Sequence, residues 1–241
     1  MGTLTSDVVE ELADVTTEVD LSQTPVRELN SALHAEPEGS TATYRVSNPE
    51  GKHSLAVGLN RPVTVTIEGH VGYYAAGMNQ LATIEIHGNA GVGVAENMMS
   101  GAVHVHGDAS QAAGATAHGG LLVVDGNAAA RCGISMKGVD IVVGGNVGHM
   151  SGFMAQAGRL VVCGDAGDAL GDSIYEARIY VKGTVKSLGA DCVAKQMRPE
   201  HLEELALLLK AASRDDDPAA FTRYGSARTL YNFHVDNASA Y

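Results

Sequence analysis

The sequence predicts an all-β fold: a parallel β-helix of about seven coils, with short N-terminal helices, a C-terminal capping helix and an extended tail. The first observation is a glycine that recurs every 19 residues without insertion, at Gly69, Gly88, Gly107, Gly126, Gly145, Gly164 and Gly183. The second is that the positions two and four residues before each of these glycines always hold Val, Ile or Leu. The third is that so short a unit leaves no room for the helix that connects parallel strands in an α/β fold.

Each repeated unit is predicted to contain one short strand and two corners. The two aliphatic positions lie on one face of the strand because side chains alternate, so they form ladders inside the coil. A Gly-Asn or Gly-Asp turn follows most of the strands. A second small residue recurs seven positions after each glycine, at Ala76, Ala95, Gly114, Gly133, Gly152, Gly171 and Ala190. A chain that repeats a strand and a turn without helices winds into a solenoid.

The phrases GNAGVG at 88–93 and GGNVG at 144–148 also have the spelling of phosphate-binding loops. Such a loop needs one strand, one glycine-rich turn and a helix whose N-terminus meets the phosphate. Because the glycine recurs in seven consecutive units, the spelling indicates the corners of a repeat rather than a cofactor site.

Composition excludes several classes of function. The net charge of −12 opposes nucleic-acid binding, which depends on Lys and Arg side chains that neutralise phosphates. The chain shows no signal-peptide pattern and no apolar stretch of membrane-spanning length, so we expect a cytoplasmic protein without a membrane partner. Cys132, Cys163 and Cys192 have no zinc-type spacing and are expected to be reduced, buried thiols.

The N-terminal region, residues 1–50, is predicted to be an acidic helical arm and cap. Residues 1–38 carry nine carboxylates against a single basic residue, Arg27. Thr24 and Pro25, followed by Val26, Leu29 and Leu33, predict a short N-capped helix, and residues 7–14 suggest another. Two interpretations stay open: a solvated arm whose helix caps the first coil, or an arm that reaches a partner subunit.

The β-helix itself is assigned to residues 51–197, and residues 198–241 to a C-terminal helix and docking tail. The helix is expected from Arg198-Pro199-Glu200 to about residue 213, with an apolar face at Leu202, Leu205, Leu208 and Leu209. Because the open end of a solenoid needs covering, we expect this helix to cap it. The tail carries four aromatic residues that suggest docking along the rod or onto a partner, Phe221, Tyr224, Tyr231 and Phe233.

The outward positions of the coils change character along the chain. In the early coils they hold Glu85, His87, His104, His106 and Asp125. Because His104 and His106 share a face, a metal site is conceivable there, but a hydrated patch or a subunit interface is favoured and no metal ligand is assigned. In the later coils they hold an aliphatic stripe at Val123, Val142, Val161 and Tyr180, which we expect a partner subunit or the protein's own tail to cover.

The repeat phrases resemble a known family. The stretches GNAGVGVAENMMSGAVHVHGDASQAAGATAHGGLLVVDGNAAARCG and GGNVGHMSGFMAQAGRLVVCG are similar to the C-terminal GXGXG domain of the glutamate synthase large subunit. The resemblance runs from about residue 50 to residue 195 and implies a right-handed β-helix that is architectural. It implies no catalytic, cofactor-binding or metal-binding residue in this chain, with FMN and an iron-sulfur cluster held by a partner.

The resemblance also implies a function. A separate chain with this domain looks like the split members of the family, above all N-methylglutamate synthase (methylamine-glutamate N-methyltransferase). There, a structural β-helix subunit works with a class II glutamine-amidotransferase-like subunit and an FMN and iron-sulfur subunit. The alternatives are a scaffold subunit of glutamate synthase proper, the equivalent scaffold subunit of formylmethanofuran dehydrogenase, or an independent ligand-binding solenoid.

One corner breaks the small-residue pattern with bulky side chains, at His149, Met150, Phe153 and Met154, as Tyr73 and Tyr74 do in the first coil. Side chains of this size must leave a narrow core. They either pack locally or, as the resemblance suggests, contact the FMN-bearing chain or line an ammonia or methylamine passage.

Overall fold

The computed structural model describes residues 16–228 and shows a parallel β-solenoid, as the repeat predicts. Eleven strands form one sheet in the order β1-β2-β3-β4-β5-β6-β7-β8-β9-β11-β10. The strands are β1 (Thr16–Asp20), β2 (Thr43–Ser47), β3 (Thr64–Glu68), β4 (Thr83–Ile86), β5 (Ala102–Val105), β6 (Leu121–Val124), β7 (Lys137–Val143), β8 (Ala157–Val162), β9 (Arg178–Val181), β10 (Cys192–Lys195) and β11 (Thr222–Ser226). The helices within the described residues are α1 (Val26–Ala35), α2 (Pro199–Ala211) and a 3-10 turn at Pro218–Ala220.

The strands β3 to β9 repeat with the predicted register. Val65 pairs with Ile84, Ile84 with Val103, and the same 19-residue step continues through Ile179. Both predicted aliphatic columns point into the coil, and each of their side chains is at most 1% exposed. Two aliphatic ladders therefore run through the hydrophobic core along the coils, and residues of the corners and of α1 complete it.

The sheet begins before residue 51, where the sequence placed the start of the β-helix. Strand β2 pairs in parallel with β3, and β1 pairs in parallel with β2. The partners are 21 residues apart in the first case (Thr43 with Thr64) and 27 in the second (Thr16 with Thr43), so neither strand has the 19-residue period. The 19-residue period therefore does not reveal β1 and β2, although both strands continue the hydrogen-bonded ladder of the sheet.

The second corner of each coil combines a left-handed backbone with little inward space. At six of the seven predicted positions, from Ala76 to Gly171, φ lies between +55° and +69°. The same positions point inward: a Cβ on Gly114 would lie 2.6 Å from Cδ1 of Ile141. The left-handed backbone favours glycine, and the narrow inward space limits these positions to glycine or alanine.

Helix α1 caps the first coil. Leu29 and Leu33 are buried in the core, which confirms the predicted apolar face. The Asn30 amide donates to the carbonyl of Ser54 (2.8 Å), and its oxygen accepts from the N–H of Ala56 (2.9 Å). These contacts supply the partners that a preceding coil would provide. Thr24 does not cap the helix as predicted: Pro25 occupies that position, and no side-chain hydrogen bond is made there.

Helix α2 begins at the predicted residue but does not cap the end of the solenoid. It lies on the outer face of the sheet, where Leu205, Leu208 and Leu209 form a second apolar cluster with residues of the sheet. The free edge of β9 is covered instead by β11, which pairs antiparallel with β9 on one side and β10 on the other. The expected capping role is therefore filled by a strand.

None of the described helices is long and apolar enough to cross a membrane.

Candidate functional site

The strongest concentration of chemically active side chains lies on the outer face of strands β4, β5 and β6. We call it the histidine cluster, and it consists of Glu85, His87, His104, His106 and Asp125. Glu85 and His104 are directly paired positions of neighbouring strands. The sequence prediction that these five side chains are neighbours on stacked coils is confirmed.

Two imidazole rings of the cluster lie between two carboxylates. His104 Nε2 is 2.9 Å from Asp125 Oδ1, and His106 Nδ1 is 3.1 Å from Asp125 Oδ2. On the other side, His106 Nε2 is 2.8 Å from Glu85 Oε2, and His104 Nδ1 is 3.4 Å from the same oxygen. Every nitrogen of both rings therefore faces a carboxylate oxygen.

The histidine rings also contact one another. The ring centroids of His104 and His106 are 3.9 Å apart, and those of His87 and His106 are 4.4 Å apart in a stacked arrangement. The side chain of His104 is 24% exposed and that of Asp125 is 39% exposed, so solvent reaches the cluster. Two sets of three residues bring possible metal-ligating atoms within 4.8 Å of one another: Glu85, His87 and His106, and His104, His106 and Asp125.

The aliphatic stripe continues the outward column of Glu85 and His104 and is not available to a partner subunit. Its residues, Val123, Val142, Val161 and Tyr180, are at most 5% exposed. Helix α2 and Phe221 cover them, which corrects the expectation that these residues form an interface between subunits. The alternative interpretation, coverage by the C-terminal part of the same chain, agrees with the structure.

Glu204 anchors α2 over the stripe. Its carboxylate accepts a hydrogen bond from the hydroxyl of Tyr180 (2.7 Å) and one from Arg178 Nη1 (2.5 Å). Arg159 Nη1 lies 3.3 Å from the same carboxylate. Burial and the bond to Glu204 raise the pKa of Tyr180. Glu204 belongs to no sequence motif, and its place on α2 close to the apolar face is the only signal in the sequence that points to it.

The aromatic residues of the tail divide into two groups. Phe221 is buried in the cluster beneath α2, and Tyr224 is partly buried in strand β11. Both side chains therefore pack on their own chain, which corrects the prediction that they dock onto a partner. Tyr231 and Phe233 lie outside the described residues, as does the helix suggested at 7–14.

The bulky corner residues leave the core, as their size predicts. His149 and Met154 are exposed, and Met150 and Phe153 are half-buried. In the first coils, Tyr73, Tyr74 and Met78 are each about half exposed, with values of 51%, 49% and 53%. These corners therefore present apolar side chains to solvent, as Leu81, Met99 and Leu207 do elsewhere in the described chain.

The cysteines do not form a reactive site. All three are free, and burial raises the pKa of Cys132 to about 12 and those of Cys163 and Cys192 to about 11. A thiol with so high a pKa stays protonated at neutral pH and is a poor nucleophile and metal ligand.

The chain is similar to Protein GlxC of Rhizobium meliloti (strain 1021), with 64% identity over 225 residues. The alignment covers 92% of this chain and 99% of the relative. No protein-family model matches the chain, and no solved structure matches it at a significant level. Because the identity is high and extends over nearly all of both chains, this chain belongs to the same protein family as GlxC.

Proposed function

We propose that the chain is the structural, non-catalytic β-helix subunit of an FMN-dependent, glutamate-synthase-like complex in the cytoplasm. Within that class we propose N-methylglutamate synthase, which converts glutamate and methylamine into N-methylglutamate and ammonia. The partners are a class II glutamine-amidotransferase-like subunit and a subunit that carries FMN and an iron-sulfur cluster.

The observation that carries this proposal is the correspondence between the family-like phrases and the coils. The stretch from 88 to 133, which resembles the GXGXG domain, spans β5 and β6 with the corners around them. The stretch from 144 to 164 contains the corner after β7 and the whole of β8. The resemblance thus extends over whole coils with their corners, which favours a shared architecture over a chance likeness of glycine-rich phrases.

The extent of the relative supports a subunit rather than a fused domain. Protein GlxC is matched over 99% of its own length, so a solenoid of this size makes up nearly all of that protein. A solenoid with its interior filled by aliphatic ladders has little space for a substrate inside. Its long outer surface suits it to hold other chains in register.

The exposed corners are the surfaces that we assign to the partners. Tyr73, Tyr74 and Met78 in the first coils, and Met154 farther along, present apolar area to solvent. Interfaces between subunits are enriched in tyrosine and methionine. We propose that the corner formed by His149, Met150, Phe153 and Met154 contacts the FMN-bearing subunit or lines a passage for ammonia or methylamine.

The test is a native affinity purification of this chain from its own cells. The eluate is examined by visible spectroscopy and assayed with glutamate and methylamine. The proposal expects a yellow-brown flavin and iron-sulfur subunit to copurify and N-methylglutamate to form. A matched purification with a chain that carries Tyr73→Ser, Tyr74→Ser and Met78→Ser is expected to recover less of the partner subunits.

Two other results would change the assignment. A coloured complex that forms glutamate from 2-oxoglutarate, or one that oxidises formylmethanofuran, would keep the scaffold role and replace the reaction. A colourless preparation without partners would contradict the scaffold role and favour an independent binding function.

A further inference from the structure

We propose that His104, His106 and Asp125 bind a divalent transition metal ion of the zinc type, with Glu85 as the outer carboxylate that orients both rings. This site is separate from the scaffold role, since it rests on the geometry of the histidine cluster alone.

The three ligand atoms already converge. His104 Nε2 and His106 Nδ1 lie 2.9 and 3.1 Å from the two oxygens of Asp125, and the three atoms of the set lie within 4.8 Å of one another. In a tetrahedral zinc site with bonds of about 2.0–2.1 Å, neighbouring ligand atoms are about 3.3–3.4 Å apart. The ligand atoms are therefore close to this spacing, and a rotation that moves the two neighbouring rings apart would admit an ion.

The ring nitrogens that do not face Asp125 favour the set of His104, His106 and Asp125 over other ligand sets. A histidine that binds a metal usually donates its other N–H to a carboxylate or a carbonyl. Here the nitrogens left over, His104 Nδ1 and His106 Nε2, both face Oε2 of Glu85, at 3.4 and 2.8 Å. One glutamate thus supplies the outer partner of both ligating rings.

The competing set uses Glu85, His87 and His106. In that set Glu85 binds the ion directly. Asp125 then accepts a hydrogen bond from only one of the ligating rings, that of His106. His87 stacks on the His106 ring, and the cluster's two carboxylates make their hydrogen bonds to His104 and His106. The arrangement of the carboxylates therefore favours His104, His106 and Asp125.

The backbone holds the ligands in place. His104 lies on β5, and His106 and Asp125 directly follow β5 and the neighbouring strand β6. Adjacent strands are held about 4.8 Å apart by the ladder of backbone hydrogen bonds. Each ligand is thus on a strand or on the residue that directly follows one, and such positions keep their geometry better than positions within a loop.

The site has three protein ligands and an outward face that is open to solvent. The ligating side chains are 24%, 32% and 39% exposed. Structural zinc sites usually close with four protein ligands, whereas three ligands leave a position for water or another molecule. The two carboxylates carry the negative charge that offsets the charge of a divalent ion.

The test uses the full-length chain, without a histidine tag, freed of metal by a chelator. Titration with Zn²⁺ by calorimetry is expected to show one equivalent bound per chain, and Co²⁺ is expected to give the intense visible absorption of a tetrahedral ion. His104→Ala, His106→Ala and Asp125→Asn are each expected to remove this binding. Glu85→Gln is expected to weaken it by about 10- to 100-fold, as outer-partner substitutions do.

The control variant is His118→Ala, which removes an exposed histidine from another face of the solenoid and is expected to leave Zn²⁺ binding unchanged. Nitrogen NMR of the imidazoles in the Zn²⁺-bound chain is expected to show ligation through Nε2 of His104 and Nδ1 of His106. All variants are compared by circular dichroism and unfolding midpoint, so that a loss of binding is not confused with a loss of fold.

Three results would overturn the proposal. One is the absence of Zn²⁺ and Co²⁺ binding in the intact chain. Another is binding that survives His104→Ala, and the third is loss on Glu85→Gln with retention on Asp125→Asn, which would place the ion on the competing set. Because the isolated chain is used, none of these outcomes depends on whether the partner subunits exist.

Discussion

The polar residue that follows each repeat glycine forms a ladder between coils. Asn89 Oδ1 accepts from the N–H of Asp108 (2.9 Å), and Asp108 Oδ1 accepts from the N–H of Asn127 (2.7 Å). The same contact recurs at Asn146, Asp165 and Thr184. The preference for Asn and Asp at this position therefore reflects a structural bond from coil to coil, in addition to the turn itself.

The glycine before this ladder is needed for close approach of the coils. A Cβ on Gly88 would lie 2.6 Å from the carbonyl carbon of Gly69 and 2.8 Å from the backbone nitrogen of His70. Because these atoms belong to the backbone, they cannot rotate away. We expect Gly88→Ala to lower the free energy of unfolding by about 1–3 kcal/mol, measured by urea denaturation.

Gly225→Ala is the matched control for this prediction. A Cβ on Gly225 would meet its nearest neighbour, Cγ of Lys195, at 3.6 Å, which is ordinary contact. We expect a change within about 0.5 kcal/mol. Equal effects of the two substitutions would show that the approach of the backbones does not limit the stability of the solenoid.

Glu36, near the N-terminal end of the solenoid, makes a contribution to the free energy of unfolding that depends on pH. Hydrogen bonds from the hydroxyls of Tyr44 (2.5 Å) and Ser40 (2.7 Å) lower the pKa of this carboxyl below its ordinary value of 4.5. A group whose pKa is lowered by folding stabilises the folded state above its unfolded pKa. That contribution is lost as the pH falls through the folded pKa.

We expect Glu36→Gln to be less stable than the native chain at pH 7 and the difference to shrink as the pH falls below 4.5. Unfolding midpoints of both chains between neutral and acidic pH measure this. Glu38→Gln, which removes a carboxylate two residues away, serves as the control for net charge. A difference that is constant with pH would contradict the stabilising role of the ionised Glu36.

At the scale of elements, the position of α2 determines which outward residues of the sheet are covered and which are exposed to solvent. Its apolar face covers the stripe on β6 to β9, while the same outward column on β4 and β5 stays uncovered and carries Glu85 and His104 of the histidine cluster. One column of the repeat thus serves two purposes. Where the helix covers it, the column is aliphatic, and where solvent reaches it, the column is ionisable.

Docking of α2 depends on Leu205, which is fully buried against the stripe. We expect Leu205→Ala to lower the free energy of unfolding by about 2–5 kcal/mol, because it leaves a cavity in this cluster. Denaturant unfolding measures the loss, and binding of an apolar fluorescent dye reports exposure of the stripe.

Leu207→Ala is the control on the same helix, since Leu207 is 70% exposed. It keeps the helix propensity and the net charge of the Leu205 variant. We expect it to change stability by less than about 0.5 kcal/mol and to leave dye binding unchanged. Dye binding that fails to rise in the Leu205 variant would contradict the covering role of the helix.

At the scale of the whole molecule, periodicity made most of the fold predictable. Seven strands, their register and both inward columns follow from a 19-residue spacing that places aliphatic residues at the same two positions of every coil. Strands β1 and β2 do not follow, because their spacings of 27 and 21 residues are set by the inserted helix and loop. The repeat therefore predicts which residues are neighbours in β3 to β9, where the 19-residue spacing is kept, but not in β1 and β2.

The candidate sites were predictable in part for the same reason. The histidine cluster comes from stacked coils, so the five side chains were expected to meet, and they do. The sequence did not predict what covers the aliphatic stripe, because an apolar face indicates only that some other segment or chain packs on it. Whether α2 folds back on the sheet depends on the chain between Lys195 and Pro199, which carries no periodic signal.

The C-terminal part of the chain combines two roles that truncation can separate. Up to residue 228 it belongs to the solenoid, because Phe221 fills the cluster under α2 and β11 completes the sheet between β9 and β10. The proposed docking role therefore falls on residues 229–241, with Tyr231 and Phe233. A variant that ends at residue 228 keeps every strand that the structure describes.

We expect the variant ending at residue 228 to unfold with a midpoint close to that of the full chain but to recover fewer partner subunits from cells. A variant ending at residue 217 loses Phe221 and strand β11, and we expect it to lose about 3 kcal/mol or more of stability. Circular dichroism with denaturant and copurification measure the two effects. Full recovery of partners by the 228 variant would contradict the docking role of the tail, and it would leave the exposed corners of the coils as the surface that holds the complex together.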